Sequence, residues 1–151
     1  MGWMEAVTQV TEGELLNIDG KTLRGAKEVE NSRSLIHMVS VWSASQHLVL
    51  GQTKVSEKSN EITAIPPLLE MLAIRGCLVS IDAMGCQTKI AKTIVEQGAD
   101  YVLALKGNQG DLHTDVAQLF TAARTQNFRN IEHQFHSTVS KGHGRVETRR
   151  Y

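Results

Sequence analysis

With 151 residues, 41% of them hydrophobic and 21% charged, the chain has the make-up of one ordinary globular domain, able to bury a core without disulfide or metal staples. Cys77 and Cys86 match no zinc or redox spacing, no apolar run reaches membrane-spanning length, and the N-terminus lacks the basic start and long apolar stretch of a secretory signal. A cytoplasmic location and no membrane partner are therefore expected. The formal net charge of zero requires that any binding to nucleic acid rest on local basic patches.

Residues 1–13 read as a short helical lead-in. Leu15 to Ile18 then forms a strand that closes in an Asp19-Gly20 turn. Leu35 to Trp42 and Gln46 to Val55 are apolar, β-branched runs joined by the short Ser43-Ala44-Ser45 link, which suits an antiparallel hairpin. Ser59-Asn60-Glu61 signals a helix start. Pro66 and Pro67 break helix interiors, so the main helix is expected to begin with them and to stop near Gly76.

Cys77 to Ile81 is almost wholly apolar, as a buried parallel strand is, and it ends in Asp82. Gln87 to Gln97 carries Ile90, Ile94 and Val95 at helical spacing, with Gly98 just past its end. Tyr101 to Leu105 is a further buried strand, Lys106 to Gly110 a turn, and Asp111 the start of another amphipathic helix. His133 to Val139 alternates loosely and is a candidate strand. The order β-β-β-α-β-α-β-α predicts an α/β fold whose sheet has three antiparallel and then two parallel strands, Cys77 to Leu105 being a right-handed βαβ unit.

Chemistry gathers at the strand ends. Functional groups in open α/β sheets collect outside the carboxyl ends of the strands, where Asp19 and Asp82 stand in this reading. Two neighbouring carboxylates repel unless a cation lies between them. Magnesium, a hard ion that keeps several waters, answers that need, and a pair of such ions stabilises the attacking and leaving oxygens of a phosphoryl displacement. The bland alternative is that each Asp before a turn is only a turn-former or helix cap.

Gly20-Lys21-Thr22 is no phosphate-binding P-loop, because position 15 is Leu where that motif needs Gly. An aspartyl-phosphate phosphatase would want a second Asp two residues from Asp19, and positions 17 and 21 are Asn and Lys. Basic patches occur at Lys21, Arg24 and Lys27, and at Lys141, Arg145, Arg149 and Arg150 around the single acid Glu147. Lys106, in a glycine-bearing turn on the same predicted edge as the two aspartates, is placed either to meet an anion or simply to solvate a turn. None of the six histidines forms a zinc-hydrolase pattern, and both cysteines read as inert.

Asp19-Gly20-Lys21-Thr22-Leu23-Arg24-Gly25, Val55-Ser56-Glu57-Lys58-Ser59-Asn60-Glu61-Ile62, Ile81-Asp82-Ala83-Met84-Gly85-Cys86-Gln87, Leu105-Lys106-Gly107-Asn108-Gln109 and Gly142-His143-Gly144-Arg145-Val146-Glu147 run in order along nearly the whole chain. Together they resemble the motif blocks of DDE transposases of the H-repeat-associated family. The resemblance implies an RNase H-like core over 14–151, a divalent cofactor (Mg2+ or Mn2+), and metal-dependent cleavage and transfer of DNA strands. Asp19 and Asp82 match the first two catalytic acids and metal ligands. Lys21, Arg24, Lys106, Asn108 and Arg145 would then meet DNA, with transposon ends as partner and a homo-oligomer as the working form.

The family's third acid, a Glu in a Trp-X-Ile-Glu-Asn context, has no counterpart here, and Glu147 belongs to a different block. A core truncated before that residue, inactive alone, is the expectation. A non-catalytic DNA- or protein-binding remnant and another RNase H-like nuclease are the alternatives.

Overall fold

In the computed structural model, residues 12–23, 36–55, 61–142 and 144–150 are described. The expected lead-in lies almost entirely outside them, as do Arg24 and Lys27. The chain divides into two compact units, Met1–Gly110 and Asp111–Tyr151.

The first unit is built on a five-stranded sheet in the order β3-β2-β1-β4-β5. Its strands are β1 (Leu15–Leu23), β2 (Ile36–Ser43), β3 (Leu48–Val55), β4 (Leu78–Ile81) and β5 (Asp100–Leu103). β1 with β2 and β2 with β3 are antiparallel, whereas β1 with β4 and β4 with β5 are parallel. This is the mixed, RNase H-like order that the sequence predicts. A register shift between Val41 and Trp42 bends the β2–β3 hairpin.

Two helices cover the sheet, α1 (Glu61–Glu70) and α2 (Thr88–Glu96). Leu16, Ile18, Val39, Val41, Val79 and Ile81 of the sheet are buried with Ile65, Leu68 and Leu69 of α1 and Ile90 and Ile94 of α2. Gly98 ends α2 at φ 75°, a left-handed turn that costs glycine little.

Three expectations need correction. β1 does not close at Asp19 but runs four residues further, because Gly20, Lys21, Thr22 and Leu23 continue the ladder with Val39, Met38, His37 and Ile36. α1 begins at Glu61, and Pro66 and Pro67 lie inside it. Each proline removes a helical N–H, but Pro66 is itself buried and the adjoining Ile65, Leu68 and Leu69 are core residues, so apolar burial outweighs the lost bonds. β5 is not a fully buried strand: it is the sheet edge, with Tyr101 and Val102 exposed.

A buried carboxylate that the sequence did not single out anchors the amino end of β1. Glu14 is 4% exposed and accepts hydrogen bonds from the hydroxyls of Ser43 and Ser45, the latter at 2.7 Å. Its carbonyl accepts from the Leu78 N–H, which ties the β2–β3 turn and the start of β4 to one point.

The second unit contains α3 (Gly110–Thr125) and a two-stranded antiparallel ribbon, β6 (Ser137–Gly142) with β7 (Arg145–Arg150). The loosely alternating run predicted at His133 to Val139 is thus strand only from Ser137, and the charged tail after the glycine turn is the second strand. Phe128 stacks on His133, and Phe135 meets both rings edge-on.

Candidate active site

The parallel pairing of β1 with β4 sets the site. Leu15 to Ile18 lie beside Leu78 to Ile81, residue for residue. The next position on each strand is an aspartate, Asp19 on β1 and Asp82 immediately after β4. Adjacent strands run about 4.8 Å apart, so the two acids occupy neighbouring places, and both are exposed. Strand alternation turns Ile18 and Gly20 toward the helix-covered face and Asp19 away from it.

Asp82 is also a cap. Its backbone is extended (φ −68°, ψ 177°), and its Oδ1 accepts from the N–H groups of Met84 and Gly85 at 3.1 and 3.4 Å, opening a single 3-10 turn at Ala83–Gly85. Capping and chemistry are not exclusive here, because Oδ1 takes the two backbone bonds and Oδ2 has no part in them. Gly85 is required by packing: a Cβ on it would stand 2.2 Å from Ile81 Cγ2. The turn is held from a second side by the loop after β5. Asn108 Nδ2 donates to the Ala83 carbonyl and Gln109 Nε2 to the Cys86 carbonyl, each at 2.8 Å.

The other expected residues fall as follows. Lys21 is exposed on β1, on the same alternating face as Asp19. Lys106 is exposed three residues beyond Leu103, the β5 partner of Ile81, and so beyond the same carboxyl edge. Asn108 is engaged with the Asp82 turn through its amide nitrogen. Arg145 opens β7 in the second unit and is exposed. Glu147 sits on the same strand and receives both the Nε and an Nη of Arg149, at 3.0 and 3.1 Å.

The sequence puts Glu61 in a helix-start signal and in one of the family-like blocks, but does not mark it as a member of this region. Glu61 begins α1, is buried, and leans over Gly20, where a Cβ would stand 2.5 Å from Glu61 Oε2. His37 Nδ1 lies 3.9 Å from Glu61 Oε1 and shares a 2.9 Å hydrogen bond with Thr22 Oγ1, its cross-strand partner. Glu61, Gly20, Asp82, Met84 and Gly85 line one small cleft. Only the contact with Gly20 reveals this, and no spacing in the sequence encodes it.

The donor set suits a hard cation. Two aspartates occupy neighbouring positions on adjacent parallel strands, both exposed to water, and offer oxygen ligands only. Magnesium and manganese accept such a partial set and complete it with waters. Among the described residues no group of three or more His, Cys, Asp or Glu is placed to hold an ion by itself. The two cysteines take no part. Cys77 is buried, and burial first, then the neighbouring Glu14 carboxylate, push its thiol above the ordinary range. No helix among the described residues is long and apolar enough to cross a membrane.

The chain is 47% identical over 147 residues to the Escherichia coli (strain K12) protein named "Putative transposase YncI", covering 97% of this chain and 58% of that one. It is 41% identical over 149 residues to "H repeat-associated putative transposase YbfD" of the same strain, covering 99% and 58%. The chain thus spans little more than half the length of these relatives. Among solved structures it is similar to the piggyBac transposase in a synaptic complex with hairpin DNA, at TM-score 0.45 and 13% identity over 72% of this chain and 27% of that one. It is also similar to a chain of the simian T-cell lymphotropic virus intasome in complex with a PP2A regulatory subunit, at TM-score 0.46 and 12% identity over 82% and 48%. Residues 11–149 match the family described as Transposase DDE domain, and the chain belongs to that family.

Proposed function

We propose that this chain supplies two of the three acids of a DDE transposase core that cleaves DNA strands and transfers them. Domains of this family generally use divalent metal ions. Asp19 and Asp82 are the residues of this chain that would hold Mg2+ or Mn2+. The observation that carries the reading is the unbroken parallel register from Leu15–Leu78 to Ile18–Ile81, whose next step is the aspartate pair.

A bound ion would supply charge stabilisation to the oxygens of a phosphodiester under attack. The protein's own part is to fix the two carboxylates. β1 is held on both sides by β2 and β4, and Asp82 is oriented by two backbone N–H groups and by the Asn108 and Gln109 tethers. Lys21 and Lys106 flank the same edge and would meet DNA phosphates. Arg24, Asn108 and Arg145 are further DNA contacts in this reading, Asn108 with whatever amide capacity its bond to Ala83 leaves. The proposed partner is the DNA at transposon ends, bound by an assembly of several copies, and the proposed location is the cytoplasm. We assign 14–151 to one RNase H-like core, with the third acid supplied from outside the motifs present here. The isolated chain is accordingly expected to show little or no strand transfer.

Substoichiometric Mn2+ added to isotope-labelled protein tests the placement of the ion. Amide signals of Ile18 to Gly20 and Ile81 to Gly85 should broaden first. Broadening confined to the β6–β7 ribbon, around Glu147, would instead move the metal site to that acid.

A further inference from the structure

Glu61 lies outside the aspartate pair, yet the fold turns its carboxylate inward at that pair's border. Its side chain is about nine-tenths buried, at 10% exposure. A carboxylate in that position is costly unless something compensates it. An acid in the first turn of a helix is favoured by the helix dipole, but an exposed side chain would serve that purpose as well. Instead Oε2 occupies the space that any side chain at position 20 would need, one residue from Asp19. Among the described residues its charge partner is His37, a long ion pair at best: Nδ1 is 3.9 Å from Oε1, counts as charged only when protonated, and also shares a hydrogen bond with Thr22 Oγ1.

The cleft that Glu61 shares with Asp82 has a free volume of about 10 Å³. That is room for roughly one water molecule and far too little for a nucleotide base. The cleft is therefore suited to a single solvent molecule beside Asp82 and Glu61.

We infer that Glu61 is a positioning residue of the metal site, adding negative charge to the cleft that Asp82 also lines and fixing the β1 segment at Gly20, one residue from Asp19. It acts at one remove rather than as a ligand, since no three acids among the described residues are placed to hold an ion directly. This inference rests on the two-aspartate metal site proposed above. Two consequences separate it from a purely structural role. Charge, not shape, should matter at position 61, and the effect should appear in cation affinity rather than in folding.

Calorimetric titration of the purified chain with Mn2+ is the test, on wild type, Glu61→Gln, Glu61→Asp and Asp82→Asn, with thermal melts in chelator as the control for folding. Loss of the nearby charge in Glu61→Gln should weaken Mn2+ binding by about tenfold, while Glu61→Asp, which keeps the charge, should stay within about threefold of wild type. The metal-free melting temperature of Glu61→Gln should stay close to that of wild type, because glutamine keeps the shape of the side chain and the pair with His37 that is lost is a long one. If Glu61→Gln does not fold, Glu61→Ala replaces it under the same expectation. Wild-type affinity in Glu61→Gln, with binding still lost in Asp82→Asn, would overturn the role of Glu61 and leave the aspartate site standing. No binding by wild type would overturn the aspartate site itself, and the inference with it.

Discussion

At the scale of single residues, the site depends on two glycines that leave room for others. Gly85 closes the 3-10 turn that Asp82 caps, and a methyl group there would collide with Ile81. Gly85→Ala should therefore cost about 1–3 kcal/mol of stability through overpacking, read as a lower urea midpoint at unchanged slope. The cysteines offer a separate check on burial. Cys77, 1% exposed and with its thiol held protonated by burial and by Glu14, should resist alkylation in the native chain, whereas Cys86, only partly buried, should react first. Mass spectrometry after brief treatment with iodoacetamide distinguishes the two. Asp19 and Asp82 were legible as candidates in the sequence because each follows an apolar strand. Glu61 was not, because its partner Gly20 is distant in sequence and glycine has no side chain to advertise a contact.

At the scale of elements, α1 shows where local rules mislead. Two adjacent prolines argue against a helix interior, yet the helix runs through them from Glu61 to Glu70. The deciding term is tertiary: Ile65, Leu68 and Leu69 are core residues, and Pro66 is buried with them. Pro67 is exposed, so its ring contributes little packing while its missing N–H weakens the helix. Pro67→Ala should stabilise the domain by about 1–3 kcal/mol, seen as a rise in melting temperature. Leu69→Ala, at a fully buried position, should cost about 2–5 kcal/mol in the same assay. The apolar patterns of β2, β3 and β4 place these strands within a residue or two of their observed bounds. β1 extends past its apparent end in the sequence because Asp-Gly is a turn signal in isolation, whereas here it is extended backbone paired on β2. The ribbon β6–β7 has no buried residue, so it lacks the apolar alternation by which strands are recognised.

At the scale of the molecule, topology does what no motif does alone. Asp19 and Asp82 are 63 positions apart in sequence, by subtraction of their numbers. They become neighbours because a βαβ unit is preceded by a strand that pairs in parallel with its first member. The sequence order of elements predicted this sheet, and its carboxyl edge is where the acids and Lys106 gather. The balance of 16 basic and 16 acidic residues makes bulk attraction to DNA weak, so contacts must be local. DNA binding measured by fluorescence anisotropy should fall steeply with salt, and should survive in an Asp19→Asn, Asp82→Asn double variant that no longer takes up metal. Loss of DNA binding in that variant at low salt without added metal would mean that the acids serve folding rather than the cation.

The proposed metal site is formed by two aspartates on adjacent parallel strands. Its most direct test is a calorimetric Mn2+ titration of the wild-type chain and of Asp82→Ala. Saturable binding by wild type that disappears in the variant is the predicted result. Equal binding by both proteins, or none by either, would contradict it.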